Sequence, residues 1–181
     1  LGDVYKRQGY QVKATVRDLS RTNKLNQTLL NGLEKYESKS DLSVDWQVTN
    51  LSSDEGWDEA MAGCDYVLHV ASPIAMQLPK DEDEMVKPAV EGTLRVLKAA
   101  SKAGVKRVVI TSSVAAIMYG TNKQGVFNEE DWTDPKSKTT NVYAKSKTLA
   151  EQAAWDFIEK DTSGIELSTV LPAVVFGPIL E

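Results

Sequence analysis

The chain has 181 residues, of which 26% are charged, and a formal net charge of −5 at neutral pH. This length fits one domain with a hydrophobic core, and the acidic balance offers no basic surface for nucleic acid or an anionic membrane. A single cysteine, Cys64, excludes an internal disulfide, and no apolar stretch is long enough to span a bilayer. We therefore expect a cytoplasmic protein, monomeric or homodimeric, whose partner is a small molecule.

Segments rich in β-forming residues alternate along the chain with segments of helical periodicity. Strands are predicted at 10–16, 42–50, 66–70, 107–111 and 166–171, and helices at 25–33, 85–103 and 143–158. Strands that alternate with helices are typical of a parallel sheet. Gly104 and Gly164 follow predicted helices, and Pro172 ends the last strand. The polar segment 120–141 is predicted to be a long loop.

Two polar features have structural interpretations. His69 is the only histidine of the chain and lies within an apolar run, so we interpret it as a hydrogen-bonded interior residue. With one histidine and one cysteine the chain has too few of these ligands for a Cys/His metal cluster, and no metal site is predicted. The acidic residues 81–84 precede a helical pattern, where carboxylates favour a helix N-terminus.

The most informative motif pairs Tyr143 with Lys147 at the start of the last predicted helix. Residues four apart in a helix share a face, so the phenol and the ammonium are expected to be neighbours. A nearby cation lowers the pKa of a tyrosine from about 10 toward neutrality, where acid-base catalysis works best. Ser112 and Ser113, at the end of a predicted strand, are candidates for a hydroxyl that shares the substrate oxygen. Alternatively, the motif has only a structural role, in which the tyrosine packs on the core and the lysine extends over it into water.

The chain resembles an extended short-chain dehydrogenase/reductase, in the branch of dihydroflavonol reductase, cinnamoyl-CoA reductase and related aldehyde or ketone reductases. The segments that carry the resemblance are G-Y-Q-V-K-A-T-V-R-D (9–18), A-G-C-D-Y-V-L-H-V-A-S-P (62–73), V-E-G-T-L-R-V-L-K-A-A (90–100), V-K-R-V-V-I-T-S-S (105–113), Y-A-K-S-K-T-L-A-E (143–151) and L-P-A-V-V-F-G-P (171–178). They follow the family order and cover nearly everything after Gln8. The resemblance implies an α/β fold with a doubly wound, Rossmann-like parallel sheet.

The glycine-rich turn that opens a nucleotide-binding βαβ unit is absent from this sequence. Residues 1–8 are unlike the family, and family-like sequence starts at Gly9, just before the second strand of relatives. We therefore expect residues 9–181 to form a partial NAD(P)-binding Rossmann domain without its first strand, after a leader foreign to the family. The family also continues beyond Glu181. Because the missing strand would leave two strand edges unpaired, we expect the chain alone to fold poorly and to be inactive.

The resemblance implies NADP(H) as the cofactor. Arg17 stands where an arginine accommodates the extra phosphate of NADP, and Lys24 stands where relatives have a second phosphate ligand. Asp18 is interpreted as a helix N-cap or turn residue instead of a ribose ligand. Further cofactor contacts are implied at strand ends, namely at Asn50, Leu51, Val70, Ala71, Ser72, Pro172, Ala173, Val174 and Val175. Asn50 departs from the aspartate of the family, and strand-end packing is the alternative for the valines.

The resemblance also implies a reaction, the reduction of an aldehyde or ketone by hydride transfer from NADPH. Tyr143 would give a proton to the carbonyl oxygen, and Lys147 would hold the nicotinamide ribose. Ser113 would hydrogen-bond the carbonyl, because family motifs place the active hydroxyl second, and Ser112 is interpreted as structural. The small-molecule carbonyl substrate itself is not identified by these residues.

Three apolar residues are candidates for the substrate pocket, namely Ile74, Met76 and Met118. Met118 stands where dihydroflavonol reductases have a polar side chain, which favours a less polar aldehyde or ketone. Alternatively, all three are core residues. A sugar-nucleotide epimerase/dehydratase or a hydroxysteroid dehydrogenase would share the fold and catalytic residues, although the R-D and H-V-A-S-P segments favour the reductase branch. A non-catalytic NADP-sensing protein would keep the fold, but such proteins typically lose the tyrosine or the lysine.

Overall fold

The computed structural model describes residues 5–6, 8–34, 44–74 and 79–176, with the backbone alone for residues 32–34. The chain divides into two compact units, one of Leu1–Asn50 with Phe176–Glu181 and one of Leu51–Val175. Throughout the described ranges, parallel strands alternate with helices, as the sequence pattern predicts. None of the described helices is both long enough and apolar enough to cross a membrane.

The first unit contains a two-stranded parallel sheet and a helix. Its elements are strand β1 (Lys13–Val16), a 3-10 turn (Leu19–Arg21), helix α1 (Thr22–Glu34) and strand β2 (Asp45–Val48). The two strands are parallel, with Val16 opposite Val48. Asp18 caps the 3-10 turn, because its carboxylate accepts a hydrogen bond from the Ser20 amide at 2.8 Å. The interpretation of Asp18 as a capping residue is therefore confirmed.

The second unit contains a three-stranded parallel sheet covered by longer helices. Its elements are helix α2 (Trp57–Met61), strand β3 (Tyr66–His69), helix α3 (Asp83–Lys102), strand β4 (Arg107–Thr111), a 3-10 turn (Val114–Ala116), helix α4 (Val142–Lys160) and strand β5 (Glu166–Val170). The strand order is β3-β4-β5, and α3 packs against α4. Leu97 of α3, Val108 of β4 and Ala154 of α4 are fully buried in one apolar cluster. This core fixes the central strand β4 between its neighbours.

The predicted elements are all present, with ends that differ by up to three residues. The acidic residues before α3 lie at its start, where Asp83 and Glu84 occupy the first turn. Residues 117–141 contain neither helix nor strand, which confirms the long loop. The sequence analysis did not predict α2, a helix of five residues. A segment this short is less than two turns long and gives too little periodicity to detect.

The prediction of an incomplete parallel sheet is confirmed. Among the described residues β1 pairs only with β2 and β3 pairs only with β4, so each of these strands keeps one edge without a partner strand. Tyr66 and Leu68 of β3 are exposed, although strands of parallel sheets are ordinarily buried on both faces. The boundary at residue 8 stays a prediction, because only residues 5, 6 and 8 of that segment are described.

A close contact joins α3 to the turn that opens the second unit. A β-carbon built at Gly92 would lie 2.9 Å from Cβ and 2.8 Å from Cδ2 of Leu51. Arg95 holds the same turn on the helix, because its Nη1 donates a hydrogen bond to the Leu51 carbonyl oxygen at 2.8 Å. The side chain of Leu51 also packs on the apolar core. Glycine is therefore required at position 92 by the close approach of Leu51.

The added methyl group of Gly92→Ala overpacks the contact, which costs about 1 to 3 kcal/mol, and the helix preference for alanine over glycine returns about 1 kcal/mol. Because Cβ of Leu51 cannot move away by side-chain rotation, we expect a cost in the upper part of that range and a net fall of about 1 to 2 kcal/mol in the free energy of unfolding of the full-length protein. Denaturant unfolding measures the difference. The same substitution in a Leu51→Gly background, where the contacted β-carbon is gone, should cost clearly less. Equal stability of Gly92→Ala and the wild type would contradict the contact.

Candidate active site

The serine pair follows directly after β4 and forms a tight turn. Both side chains are buried. Ser113 caps the 3-10 turn, because its Oγ accepts a hydrogen bond from the Ala115 amide at 3.1 Å. The Ser112 amide donates to the carbonyl oxygen of Val170 at 2.8 Å, which ties the turn to the end of β5. The backbone thereby fixes the position of Ser113 at the carboxyl end of the sheet.

Helix α4 places Tyr143 and Lys147 beside this turn. Asn141 caps the helix, and its side chain accepts a hydrogen bond from the Ala144 amide at 2.9 Å. Lys147 Nζ lies 5.9 Å from the centroid of the Tyr143 ring, so the two are neighbours as the four-residue spacing predicts. Lys147 Nζ also donates to the Thr111 carbonyl oxygen at 3.3 Å. Tyr143 is 36% exposed and Lys147 only 8%, so a partly exposed tyrosine lies beside a buried lysine.

A buried carboxylate completes this face of α4. Glu151 lies one helical turn after Lys147 and is 5% exposed. It accepts hydrogen bonds from the Ser112 hydroxyl and from Trp155 Nε1, the latter at 3.4 Å. Burial lowers the pKa of the Lys147 ammonium, and the negative charge of Glu151 opposes that shift. Glu151 was not predicted from the sequence, although its spacing of eight residues from Tyr143 places it on the same helix face.

His69 lies near the Lys147 ammonium and lines the same small cavity. The residue is buried, which confirms the predicted interior position. Burial and then the charge of Lys147 lower the pKa of His69 to about 4. A cavity of about 20 Å³ lies between these side chains, enough for one water molecule. The polar side chains that line it are His69, Ser72, Thr93, Thr111, Ser112, Lys147 and Glu151.

Thr133 anchors the long loop to the serine turn. Its Oγ1 donates to the Ala115 carbonyl oxygen and accepts from the Tyr119 amide, both at 2.8 Å. Its own amide donates to the Ala116 carbonyl oxygen at 2.8 Å. The side chain is almost completely buried. Thr133 was not predicted from the sequence, because a threonine within a polar loop gives no signal that identifies it.

The candidate cofactor residues of the second unit occupy three settings. Ala71 and Ser72 line the same small cavity as Lys147. The Pro172 carbonyl oxygen accepts a hydrogen bond from the Val114 amide at 3.2 Å, which places the segment after β5 against the serine turn. The remaining candidates after β3 and β5 are exposed, namely Val70, Ala173, Val174 and Val175. Strand-end packing therefore does not account for these valines.

Leu51 differs from the other candidates, because the contacts with Gly92 and the core described above already explain its position. In the first unit Arg17 is exposed directly after β1, Lys24 is exposed in the first turn of α1, and Asn50 is exposed after β2. These positions are the strand and helix ends where the sequence places them. Their contacts with a cofactor stay a prediction.

The candidate substrate residues are only partly described. Ile74 and Met118 are exposed, at 78% and 42%. The alternative that these two are core residues is therefore wrong in this structure. Met76 lies outside the described residues. A role in substrate binding stays a prediction for all three.

The parallel Rossmann-like sheets and the paired tyrosine and lysine are those of a short-chain dehydrogenase/reductase, as the sequence predicts. Residues 11–180 match the model of the 3-beta hydroxysteroid dehydrogenase/isomerase family, and the chain belongs to this family. It is 38% identical over 178 residues to a dihydroflavonol 4-reductase of Arabidopsis thaliana, a match that covers 95% of this chain and 44% of the relative.

Solved structures similar to the chain include two reductases. The yeast methylglyoxal/isovaleraldehyde reductase Gre2, complexed with NADPH, has a TM-score of 0.79 at 30% identity, covering 97% of this chain and 54% of that one. Vestitone reductase from alfalfa (Medicago sativa) has a TM-score of 0.70 at 30% identity, covering 94% of this chain and 51% of that one. The chain thus spans about half the length of these proteins.

The buried imidazole makes stability depend on pH. Because the pKa of His69 is lowered to about 4 from 6.5, the folded protein binds this proton less readily than the unfolded chain. The stabilising contribution of neutral His69 is complete above pH 6.5 and is lost as the pH falls from 6.5 toward 4. We expect the stability of the wild type relative to His69→Gln to fall by about 3 kcal/mol across this window.

Denaturant unfolding of both proteins between pH 7 and pH 4 measures this difference. NMR of the imidazole, assigned by comparison with His69→Gln, gives an independent titration. An imidazole that titrates near pH 6.5 would show that His69 is not buried as described.

Proposed function

We propose that the protein is an NADPH-dependent reductase that converts an aldehyde or ketone to an alcohol. The observation that carries the proposal is the placement of Lys147 Nζ 5.9 Å from the Tyr143 ring and within hydrogen-bonding distance of the end of β4, where Ser113 follows. A half-exposed phenol beside a buried ammonium is suited to proton transfer. The similarity to dihydroflavonol 4-reductase and to Gre2 complexed with NADPH supports the same reaction.

Residues of each unit, taken separately, fit the proposed cofactor. An ammonium has three donors, and the described hydrogen bond of Lys147 to Thr111 uses one of them, which leaves donors for the ribose hydroxyls. The exposed guanidinium of Arg17 suits the charge and geometry of a phosphate group. When bound, NADPH supplies the hydride for the carbonyl carbon. The exposed segments after β3 and β5 are the strand ends at which ligands bind in open α/β sheets.

The side chains supply the proton and the orientation. Tyr143 donates its hydroxyl proton to the substrate oxygen as that oxygen gains negative charge. Ser113 donates a hydrogen bond to the same oxygen and so orients the carbonyl group. Lys147 stabilises the negative charge that develops on the phenol oxygen and holds the ribose. One hydride and one proton are added, and the products are an alcohol and NADP⁺.

The substrate class follows from the apolar candidates. Exposed Ile74 and Met118 would contact a carbonyl compound of low polarity, because apolar side chains offer it no hydrogen bonds. The match to the 3-beta hydroxysteroid dehydrogenase/isomerase family favours a second candidate, the oxidation of a hydroxysteroid by the same residues. A cofactor-coupled screen of aldehydes, ketones and 3β-hydroxysteroids separates the two. A cytoplasmic location stays a prediction from composition, and a monomeric or homodimeric state stays a prediction that composition does not decide.

We expect Tyr143→Phe in the full-length protein to reduce kcat for carbonyl reduction by at least about 100-fold, because only the transferable proton is lost. NADPH oxidation in the presence of an accepted carbonyl compound measures kcat. Tyr66→Phe is the matched control. Tyr66 is also exposed, but it lies at the amino end of β3, whereas His69 at the carboxyl end of that strand lines the cavity with Lys147. Near-native turnover of Tyr143→Phe would eliminate the proposed proton donor.

We expect Arg17→Ala to weaken NADPH binding about 10- to 100-fold, the loss typical of a hydrogen bond to a charged group. NADH binding should be nearly unchanged, because NADH lacks the phosphate that Arg17 would contact. Fluorescence titration of the full-length variant with each cofactor measures both affinities. If NADPH affinity is unaltered, or if both cofactors lose affinity equally, the assignment of Arg17 is wrong.

A further inference from the structure

Glu151 is a buried carboxylate that the proposed reaction does not use. Burying a charge is costly unless other groups compensate it. The compensation in this structure comes from the Ser112 hydroxyl and the Trp155 indole N–H, which both donate to it. Neither group carries a positive charge. The nearest cation on the same helix face is Lys147, one turn earlier, which is itself buried at 8% exposure.

The carboxylate and the ammonium share the wall of one small polar cavity. The described contacts include no direct hydrogen bond between the two groups: Lys147 Nζ donates to Thr111, and the carboxylate accepts from Ser112 and Trp155. The two charges therefore act on each other across the cavity, where burial keeps bulk water from screening their attraction. The same contacts fix both partners at the end of β4.

We propose that Glu151 is a positioning residue, whose buried carboxylate, held by Ser112, keeps the Lys147 ammonium charged beside the Tyr143 phenol. This role rests on the proposed reductase function. An uncharged lysine at this position would neither stabilise a phenolate nor donate as strongly to a ribose hydroxyl. The adjacent serines thus have different proposed roles, because Ser112 holds the Glu151 carboxylate and Ser113 binds the substrate oxygen.

The charge state of Lys147 depends on every titratable group that faces it in the described structure. These groups are Tyr143 and Glu151 on its own helix and His69 on β3. Strand β4 presents the Thr111 carbonyl oxygen, and α3 presents the Thr93 hydroxyl in the same cavity. Since His69 stays neutral above pH 5, Glu151 is the described group whose negative charge faces the ammonium near neutral pH.

The test is the pH profile of kcat/KM for carbonyl reduction by the full-length protein. Reduction requires a proton on Tyr143 as well as a charged Lys147, so activity is expected to fall at alkaline pH, and the NMR titration of Lys147 shows how far the lysine accounts for this fall. Glu151→Gln keeps the shape and can still accept the Ser112 hydrogen bond but removes the charge. We expect the midpoint of this alkaline fall to move down by about one pH unit, the smaller end of the shifts that a nearby opposite charge produces.

Two controls separate charge from structure. Glu159→Gln removes an exposed carboxylate eight residues further along the same helix and should leave the midpoint unchanged. Glu151→Asp keeps the charge and should retain most of the wild-type midpoint. Unchanged midpoints in all three variants would overturn the proposal. If Glu151→Gln does not fold, Ser112→Ala, which releases the carboxylate, should give a smaller downward shift, and no shift there would overturn it equally.

A second measurement does not depend on activity. Carbon-13 NMR of the lysine side chains, with the Lys147 signal assigned from Lys147→Arg, should show Lys147 losing its proton at lower pH in Glu151→Gln than in the wild type. A wild type that reduces no carbonyl compound would refute the proposed function, while this titration still decides the coupling. Carbonyl reduction with an unshifted Lys147 titration would refute only the role of Glu151.

Discussion

The attachment of α4 to the carboxyl end of β4 is the interaction on which the rest of the site depends. Lys147 Nζ binds the last carbonyl oxygen of the strand, and Ser112, the next residue, binds Glu151 one turn further along the helix. These two hydrogen bonds fix the rotation of α4 about its own axis and its position along that axis relative to the sheet. Because Tyr143 lies on the same helix face, its position relative to the serine turn follows from them.

The fold could be predicted from the sequence to the extent that each element is long enough to show its own period. The strand Arg107–Thr111 is a continuous run of β-formers, and helix α3 shows apolar residues at helical spacing over 20 residues. Helix α2 was missed because five residues give no period. The separation into two sheets was predictable only from the family strand order. The residues of β1 and β3 themselves do not indicate that a neighbouring strand is missing.

The candidate site was predictable where its residues are close in sequence. Tyr143 and Lys147 are neighbours because they lie four residues apart in one helix, and this spacing is visible in the sequence. Glu151 has the same spacing, but its partner Ser112 lies 39 positions earlier, so its role depends on how α4 packs on β4. Thr133 is similar, because its hydrogen bonds reach Ala115 across the loop. Tertiary packing therefore decided which polar residues belong to the site.

Around the site, charged side chains are buried and apolar side chains are exposed, which is the reverse of the usual pattern. Lys147 and Glu151 are buried, whereas Val174 and Val175, which local hydrophobicity would place in the core, are 77% and 81% exposed. Charged residues are almost never fully buried unless paired, and a buried polar or an exposed apolar group is the informative exception. Both exceptions occur at the carboxyl ends of parallel strands, where open α/β sheets bind their ligands. In the proposed reductase, a bound nucleotide and substrate would cover these exposed apolar side chains. The buried charges are already held in place by the fold, so the cost of ordering them would fall on folding and not on binding.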